Sequence, residues 1–352
     1  MNNPPLVRTW REEFTFFGTG GEYFRIWIVN ILLTVLTLGI YSAWAKVRRM
    51  HFFYRNTRLA GASFDYHGDP IAILKGRIIA TLMLGSYYGT SALSPVAGMV
   101  VFFLLIGAAP WLISRSLRFR FYNTSYRGLR FRFTGTTADA YKVFLLLPIA
   151  TILTLGTLGP MWHQRLKQYL HANAWYGRTQ FSFDAPVGSF YRVYFTALGL
   201  LLAFVVAGTL LVAPFIVGAL RAGGTPTGAI GFTIGVMCAI VLYLLASVSM
   251  WAFTTARVQN LAWNHTQLGP HRFVSAIQAR RLVMITITNL LGVVFTLGFF
   301  KPFAVVRVTE YLLSASTVVV EGNLNEFVAG EQMAIGAAGE EAAEMFDIDI
   351  AV

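Results

Sequence analysis

Charge is scarce in this 352-residue chain. Only 12% of its residues are Asp, Glu, Lys or Arg, where a soluble domain carries about 25%. That deficit excludes an ordinary water-soluble globule. Cysteine is nearly absent: Cys238 stands alone in an apolar stretch, which excludes an intrachain disulfide and a cysteine metal site. No cleavable leader is expected at the start. Arg8, Arg11, Glu12 and Glu13 come early, with no apolar region and small-residue cleavage site, so the first hydrophobic helix is expected to act as the insertion signal. Catalytic signatures are lacking as well. There is no His-Glu-x-x-His, no Gly-x-Ser-x-Gly and no Gly-x4-Gly-Lys. No enzyme activity, metal or cofactor is therefore expected.

What is present is apolar. Hydrophobic residues make up 56% of the chain and the mean hydropathy is +0.58. Uncharged stretches cover 26–45, 78–93, 96–114, 143–162, 193–220, 229–255 and 282–300. Most approach the 20 or so residues that span a bilayer as a helix. The formal net charge is +12, but residues 1–320 hold all 28 basic residues and only 8 of the acids. In a membrane protein such an excess marks cytoplasmic loops facing anionic lipid head groups. Nucleic acid is not needed to explain it. The acidic stretch after Glu321 reads as a disordered tail.

The chain also resembles itself. Phe14–Arg25 aligns with Phe131–Lys142 at an offset of 117, which also superposes the Leu-Thr-Leu-Gly runs at 36–39 and 153–156. A weaker copy at offset 259 pairs Gly39 with Gly298 and Arg48 with Arg307. Each of the first two copies opens on a strand-like run and then a capping-box spacing, Thr19 with Glu22 and Thr136 with Asp139. A helix follows, broken by Gly39, Gly156 or Gly298, and then a short aromatic and basic helix. Plain apolar helix pairs, 78–114 and 193–255, separate the copies.

Charge decides whether each unit crosses the bilayer or turns back. Seven basic residues lie at 46–77, seven at 115–142, four at 163–192 and four at 256–281. Single crossings would put several of these segments outside; returning units keep every one inside. The expected architecture is a polytopic α-helical membrane protein. Helix–turn–helix repeats alternate with apolar helix pairs, and six strand-like segments pair into a small cytoplasmic β cap. Residues 1–114 form one repeat, 115–256 a second, 257–320 a truncated third and 321–352 the tail. Both termini are expected in the cytoplasm. The recurring Asn-then-Gly segments after the helices, as in 54–66 and 122–133, are read as left-handed helix ends.

The run 14–39, together with 40–61, resembles the YjgN-type family of bacterial inner-membrane proteins, a domain of unknown function. The motifs are a Phe-x-Phe-x-Gly-like opening, Leu-Gly before the turn, and Trp44-x-Lys46-x-Arg48 followed by Asn56-Thr57. The resemblance covers about residues 12–320. It implies an inner-membrane location and supplies no activity.

Lys46, Arg48, Arg165 and Arg307 are the candidate cationic lining, because intramembrane cations mark solute pathways. The preferred reading is transport or permeation of a small solute, with anions favoured by that lining, along the repeat interface. The alternative is a non-transporting lipid-binding or scaffold protein. Asp65, His67 and Asp69 have metal-ligand chemistry but read more simply as a solvated turn, and His163 and His171 as interfacial residues.

Overall fold

The computed structural model describes residues 9–334. Ten antiparallel strands close into a barrel: β1 (Thr9–Phe16), β2 (Thr57–Leu59), β3 (Ala62–Tyr66), β4 (Thr124–Tyr126), β5 (Leu129–Phe133), β6 (Ala174–Tyr176), β7 (Thr179–Phe183), β8 (Thr266–Leu268), β9 (His271–Ser275) and β10 (Ser316–Glu321). Neighbours in sequence are neighbours around the barrel, and β1 pairs with β10 to close it, Thr9 opposite Glu321. At one rim, two-residue turns join β2–β3, β4–β5, β6–β7 and β8–β9. Ala60-Gly61 and Arg127-Gly128 both have positive φ at each central residue, the twist-matched geometry of a tight hairpin. At the other rim the chain leaves five times as a helical hairpin and returns to the adjacent strand.

Three hairpins are short elbows. They are α1 (Gly20–Leu36) with α2 (Ser42–Asn56); α5 (Thr137–Tyr141), a π turn (Lys142–Leu146) and α6 (Leu147–Leu153) with α7 (Gly159–Ala172); and α10 (Ala279–Phe295) with α11 (Lys301–Ser314). Two are long: α3 (Pro70–Leu93) with α4 (Pro95–Tyr122), and α8 (Val187–Ala222) with α9 (Pro226–Asn264). Those four helices are the ones long and apolar enough to cross a membrane among the described residues. Each hairpin's second helix packs on the next hairpin's first, and α11 packs on α1, so the helices also close a ring. A last helix, α12, covers 324–334 and lies against the barrel interior through Leu324, Phe327 and Val328.

This corrects the expected fold. The sheet is not a small cap on a helical membrane protein but a closed ten-stranded barrel from which every helical hairpin is suspended. The sequence-level reading missed β2, β4, β6 and β8, which are three residues each and too short to display alternation. The Asn residues before them are not left-handed. Asn123 and Asn173 have φ of −88° and −98°, and each donates its side-chain amide to the carbonyl four residues back, at 2.8 and 2.9 Å. The positive φ belongs to the hairpin turns that follow. Residues 324–334, assigned to the tail, are helical; the rest of the tail and the extreme N-terminus lie outside the described residues.

Local chemistry explains the elbows. In α1 the Glu22 N–H donates to Thr19 Oγ1 (3.2 Å) and the Thr19 N–H to Glu22 Oε2 (3.0 Å), a complete capping box. In α5 the Asp139 N–H donates to Thr136 Oγ1 (3.1 Å), and the Thr136 hydroxyl donates to the Asp139 carboxylate (2.7 Å). In α10 no side chain caps the start; the Gln278 N–H donates to the Tyr311 hydroxyl (2.8 Å) instead. All three elbows then turn identically. Leu38, Leu155 and Leu297 have φ of about +50°, and Gly39, Gly156 and Gly298 follow at +94°, +88° and +96°. The Gly N–H reaches the carbonyl five residues back at 2.7 Å in each case, which closes the helix end. In the longest hairpin, Gly228 and Gly235 let α9 approach α8, where an added Cβ would meet Ala219 or Ile216 and Phe215. Gly85 and Gly89 of α3 face open space.

A candidate ligand chamber in the barrel

Alternation along the strands sets the barrel's two faces. Arg58, Arg130, Arg132, Gln180 and Arg272 point outward and are exposed. Inward, the third residue of each five-residue strand is phenylalanine: Phe64, Phe131, Phe181 and Phe273. Phe14 of β1 completes the set. Across the ladder they face Leu59 (from Phe14), Tyr126, Tyr176, Leu268 and Val318 in the same order. Ring centroids lie 6.4 Å apart for Phe14–Phe64 and Phe131–Phe181, and 5.9 Å for Phe181–Phe273. The Tyr126 hydroxyl donates to the Leu59 carbonyl (2.7 Å) and the Tyr176 hydroxyl to the Tyr126 carbonyl (3.0 Å), so the phenols lock strand to strand. Burial pushes both phenol pKa values up.

Between these rings and the helix ends lies a cavity of about 460 Å³, within the usual range of small-molecule sites. Tyr54, Gln259, Trp263, Leu312 and Leu313 close it on the helix side, and Leu324 and Phe327 of α12 on the turn side. Among the described residues, no Asp, Glu, Lys or Arg lines it. Polar clamps hold α12 over the mouth. Arg127 Nη1 donates to Asn325 Oδ1 (2.5 Å), the Gln332 amide to the Arg127 carbonyl (2.9 Å), and Thr179 Oγ1 to Glu331 (2.5 Å). His271 is 1% exposed inside the barrel, and its Nε2 has no hydrogen-bond partner.

The predicted cationic residues do not share this chamber. Arg48 lies over the Tyr41 ring at 5.9 Å, Arg165 donates to Gln168 Oε1 at 2.9 Å and Arg307 to Asn289 Oδ1 at 2.8 Å. Each is exposed on a separate elbow. Lys46 instead joins Arg49, Arg77 and Lys301 along a groove of about 880 Å³ between the first and last elbows. Buried Asn30 also lines this groove, with an unpaired Oδ1. Phe53 and Thr309 line both groove and chamber. The Phe ring went unread as a site because period-two alternation reveals a strand but not which face is enclosed. Its signal was there: a Phe three or four residues after each hairpin Gly.

The remaining candidates are used structurally. Asp65 pairs with Arg55 (2.9 Å), His67 with Ser125 Oγ (2.8 Å), and Asp69 caps α3 through the Ile71 and Ala72 N–H groups. No metal-binding cluster occurs among the described residues. His163 meets the Tyr194 hydroxyl at 2.8 Å and His171 meets Thr266 Oγ1 at 3.0 Å.

Comparison with known proteins agrees with the membrane character of this architecture. "Inner membrane protein YjgN" of Escherichia coli (strain K12) is 32% identical over 153 residues, 42% of this chain and 37% of that protein. Its Salmonella typhimurium (strain LT2) counterpart is 25% identical over 363 residues, covering 89% of each chain. The match to the first of these therefore spans little more than a third of its length. No solved structure matches. The family described as "Bacterial protein of unknown function (DUF898)" matches residues 11–345, so this membrane protein belongs to that YjgN-type family.

Proposed function

We propose that this protein binds an apolar, lipid-type molecule in its barrel chamber at the surface of the inner membrane. One observation carries the reading: the chamber is aromatic and, among the described residues, no charged side chain lines it. An ion there would lose its hydration with no counter-charge, at a cost of several kcal/mol. An apolar guest gains about 25 cal/mol per Å² of buried surface.

The elbows support a membrane-surface position. From Ser42 to Arg48 is six residues, or about 9 Å of helix, against roughly 15 Å for half the hydrocarbon core. The elbow tips then sit in one leaflet, with Lys46, Arg48, Arg49, Arg165 and Arg307 near anionic head groups. Only the long hairpins cross. The polar outer face of the barrel suits water, and the basic residues suit the cytoplasmic side, which would put both termini there. On this reading the repeats run over 1–114, 115–256 and 257–320.

Permeation of a small anionic solute is the second reading. It is favoured by the groove of Lys46, Arg49, Arg77 and Lys301, which adjoins the chamber through Phe53 and Thr309. Native mass spectrometry on protein in nanodiscs, with an anion-flux assay in liposomes, separates the two. Retained lipid-type molecules that are lost on filling the chamber with Val318→Phe, without flux, support the first. Anion flux that is lost in Arg49→Ala would replace it with the second.

A further inference from the structure

We infer that the chamber takes a neutral molecule bearing a carbonyl-type acceptor, such as an ester or ketone on an apolar body, and that His271 Nε2–H holds that acceptor beneath α12. This rests on the chamber reading above and specifies its ligand.

His271 is the first residue of β9, beside the Gly269-Pro270 turn, so it sits at the rim covered by α12. The backbone N–H of Glu321 donates to its Nδ1 at 3.4 Å. A neutral imidazole with Nδ1 as acceptor carries its proton on Nε2. That nitrogen is the buried atom without a partner. The Phe327 ring stands at 90° to the imidazole with centroids 4.7 Å apart, and a ring is only a weak acceptor. Burial lowers the His271 pKa, opposed by the Glu321 carboxylate, which favours the neutral form.

Five of the other hydroxyls lining the cavity are committed, and among the lining residues His271 alone has a buried side-chain nitrogen or oxygen without a partner. Tyr126 and Tyr176 donate to backbone carbonyls, and Thr57, Thr309 and Ser316 donate to carbonyls four residues back, at 2.8 to 2.9 Å. A buried donor without an acceptor is costly, so a guest that supplies one is selected over a hydrocarbon of the same shape. A carboxylate is disfavoured, since the nearby Glu321 repels it and no cation among the described residues lines the cavity. The guest then lies with its acceptor at the turn rim and its body crossing the Phe ring toward Trp263.

The test measures binding of methyl palmitate, hexadecane and ionised palmitate to the full chain in detergent, by displacement of a fluorescent apolar probe. The wild type should prefer the ester to the alkane by about tenfold. His271→Leu should bring that ratio close to one while keeping alkane binding. His271→Gln, which retains a donor, should keep much of the preference. Equal binding of ester and alkane by the wild type, or an unchanged ratio in His271→Leu, would each overturn the inference while leaving the chamber reading intact, whereas tighter binding of ionised palmitate would overturn both. Uptake of none of the three would end both. Mass spectrometry of material released from protein purified from membranes then distinguishes an uncharged membrane lipid from a free apolar carbonyl compound; either supports the assignment, and a charged amphiphile, phospholipids included, sinks it.

Discussion

Three leucines adopt a backbone conformation that disfavours side chains with a Cβ, and they do so where nothing in the protein touches them. Leu38, Leu155 and Leu297 are 96%, 94% and 91% exposed at φ near +50°, a strain of about 1–2 kcal/mol each. On the proposed placement of the tips in one leaflet, lipid contact offsets that cost. Fluorophores on Leu38→Cys, Leu155→Cys and Leu297→Cys in a Cys238→Ser background should be quenched by spin-labelled acyl chains and not by aqueous iodide; iodide quenching would place the tips in water. The caps make a second case. Thr19→Ala removes half of a capping box and should lower stability by about 1 kcal/mol, read as faster amide exchange in the first turn of α1. In the third elbow the same loss is expected from Tyr311→Phe, not from any change at Gln278's side chain, because the tyrosine hydroxyl takes the N–H there. Histidine supplies the pH dependence. His171 is packed between Phe183 and Trp263, with ring centroids 5.4 and 5.3 Å away, and burial pushes its pKa down to about 4. The unfolded chain binds the proton near 6.5 and the folded one does not, so stability should be constant above that pH. It should fall between about 6.5 and 4, by at most about 3 kcal/mol. His171→Phe should remove this histidine's share of the fall from a pH–stability curve.

At the scale of elements, legibility followed length. The elbows and long hairpins could be read because the apolar runs are long and a Gly interrupts three of them. Thr19 and Thr136 could be read from spacing alone. The six longer strands left a visible alternation, but their three-residue partners did not. Without β2, β4, β6 and β8 the sheet cannot be closed on paper, and the enclosed face cannot be named. The aligned arginines stand apart, each with a partner within its own elbow, Tyr41, Gln168 or Asn289, while Lys46 lines the groove with Arg49, Arg77 and Lys301. Helix α12 was hidden by the acidic composition around it, although Leu324, Phe327 and Val328 recur at helical spacing. Its attachment is testable. Glu331→Ala removes the acceptor used by Thr179 Oγ1 and the Arg178 N–H, and should accelerate amide exchange across 324–334 without changing protection in the barrel strands. Equal acceleration in both would mean that α12 and the barrel unfold as one unit.

For the whole molecule, the five hairpins all begin and end on one rim. Phe16 pairs with Thr57, and Phe133 with Ala174, so the two ends of an elbow cannot lie in different compartments. Single cysteines at Arg58 and Trp175 should therefore label from the same side of a sealed vesicle. Cysteines at Ser94 and Gly224, in the tips of the long hairpins, should label from the other. Opposite labelling of 58 and 175 would contradict the arrangement. The pairing of β1 with β10 has a further bearing, on biogenesis. Strand β1 is made first, yet its partner appears some 300 residues later. At roughly 5–20 residues per second, the nascent chain spends tens of seconds with one sheet edge open and its phenylalanines facing water, a template for pairing with a neighbour. Ribosome-bound intermediates of this protein should accordingly be protease-sensitive at 9–16 until the last strand has emerged, and shielding that edge is work for a chaperone or for the membrane surface itself.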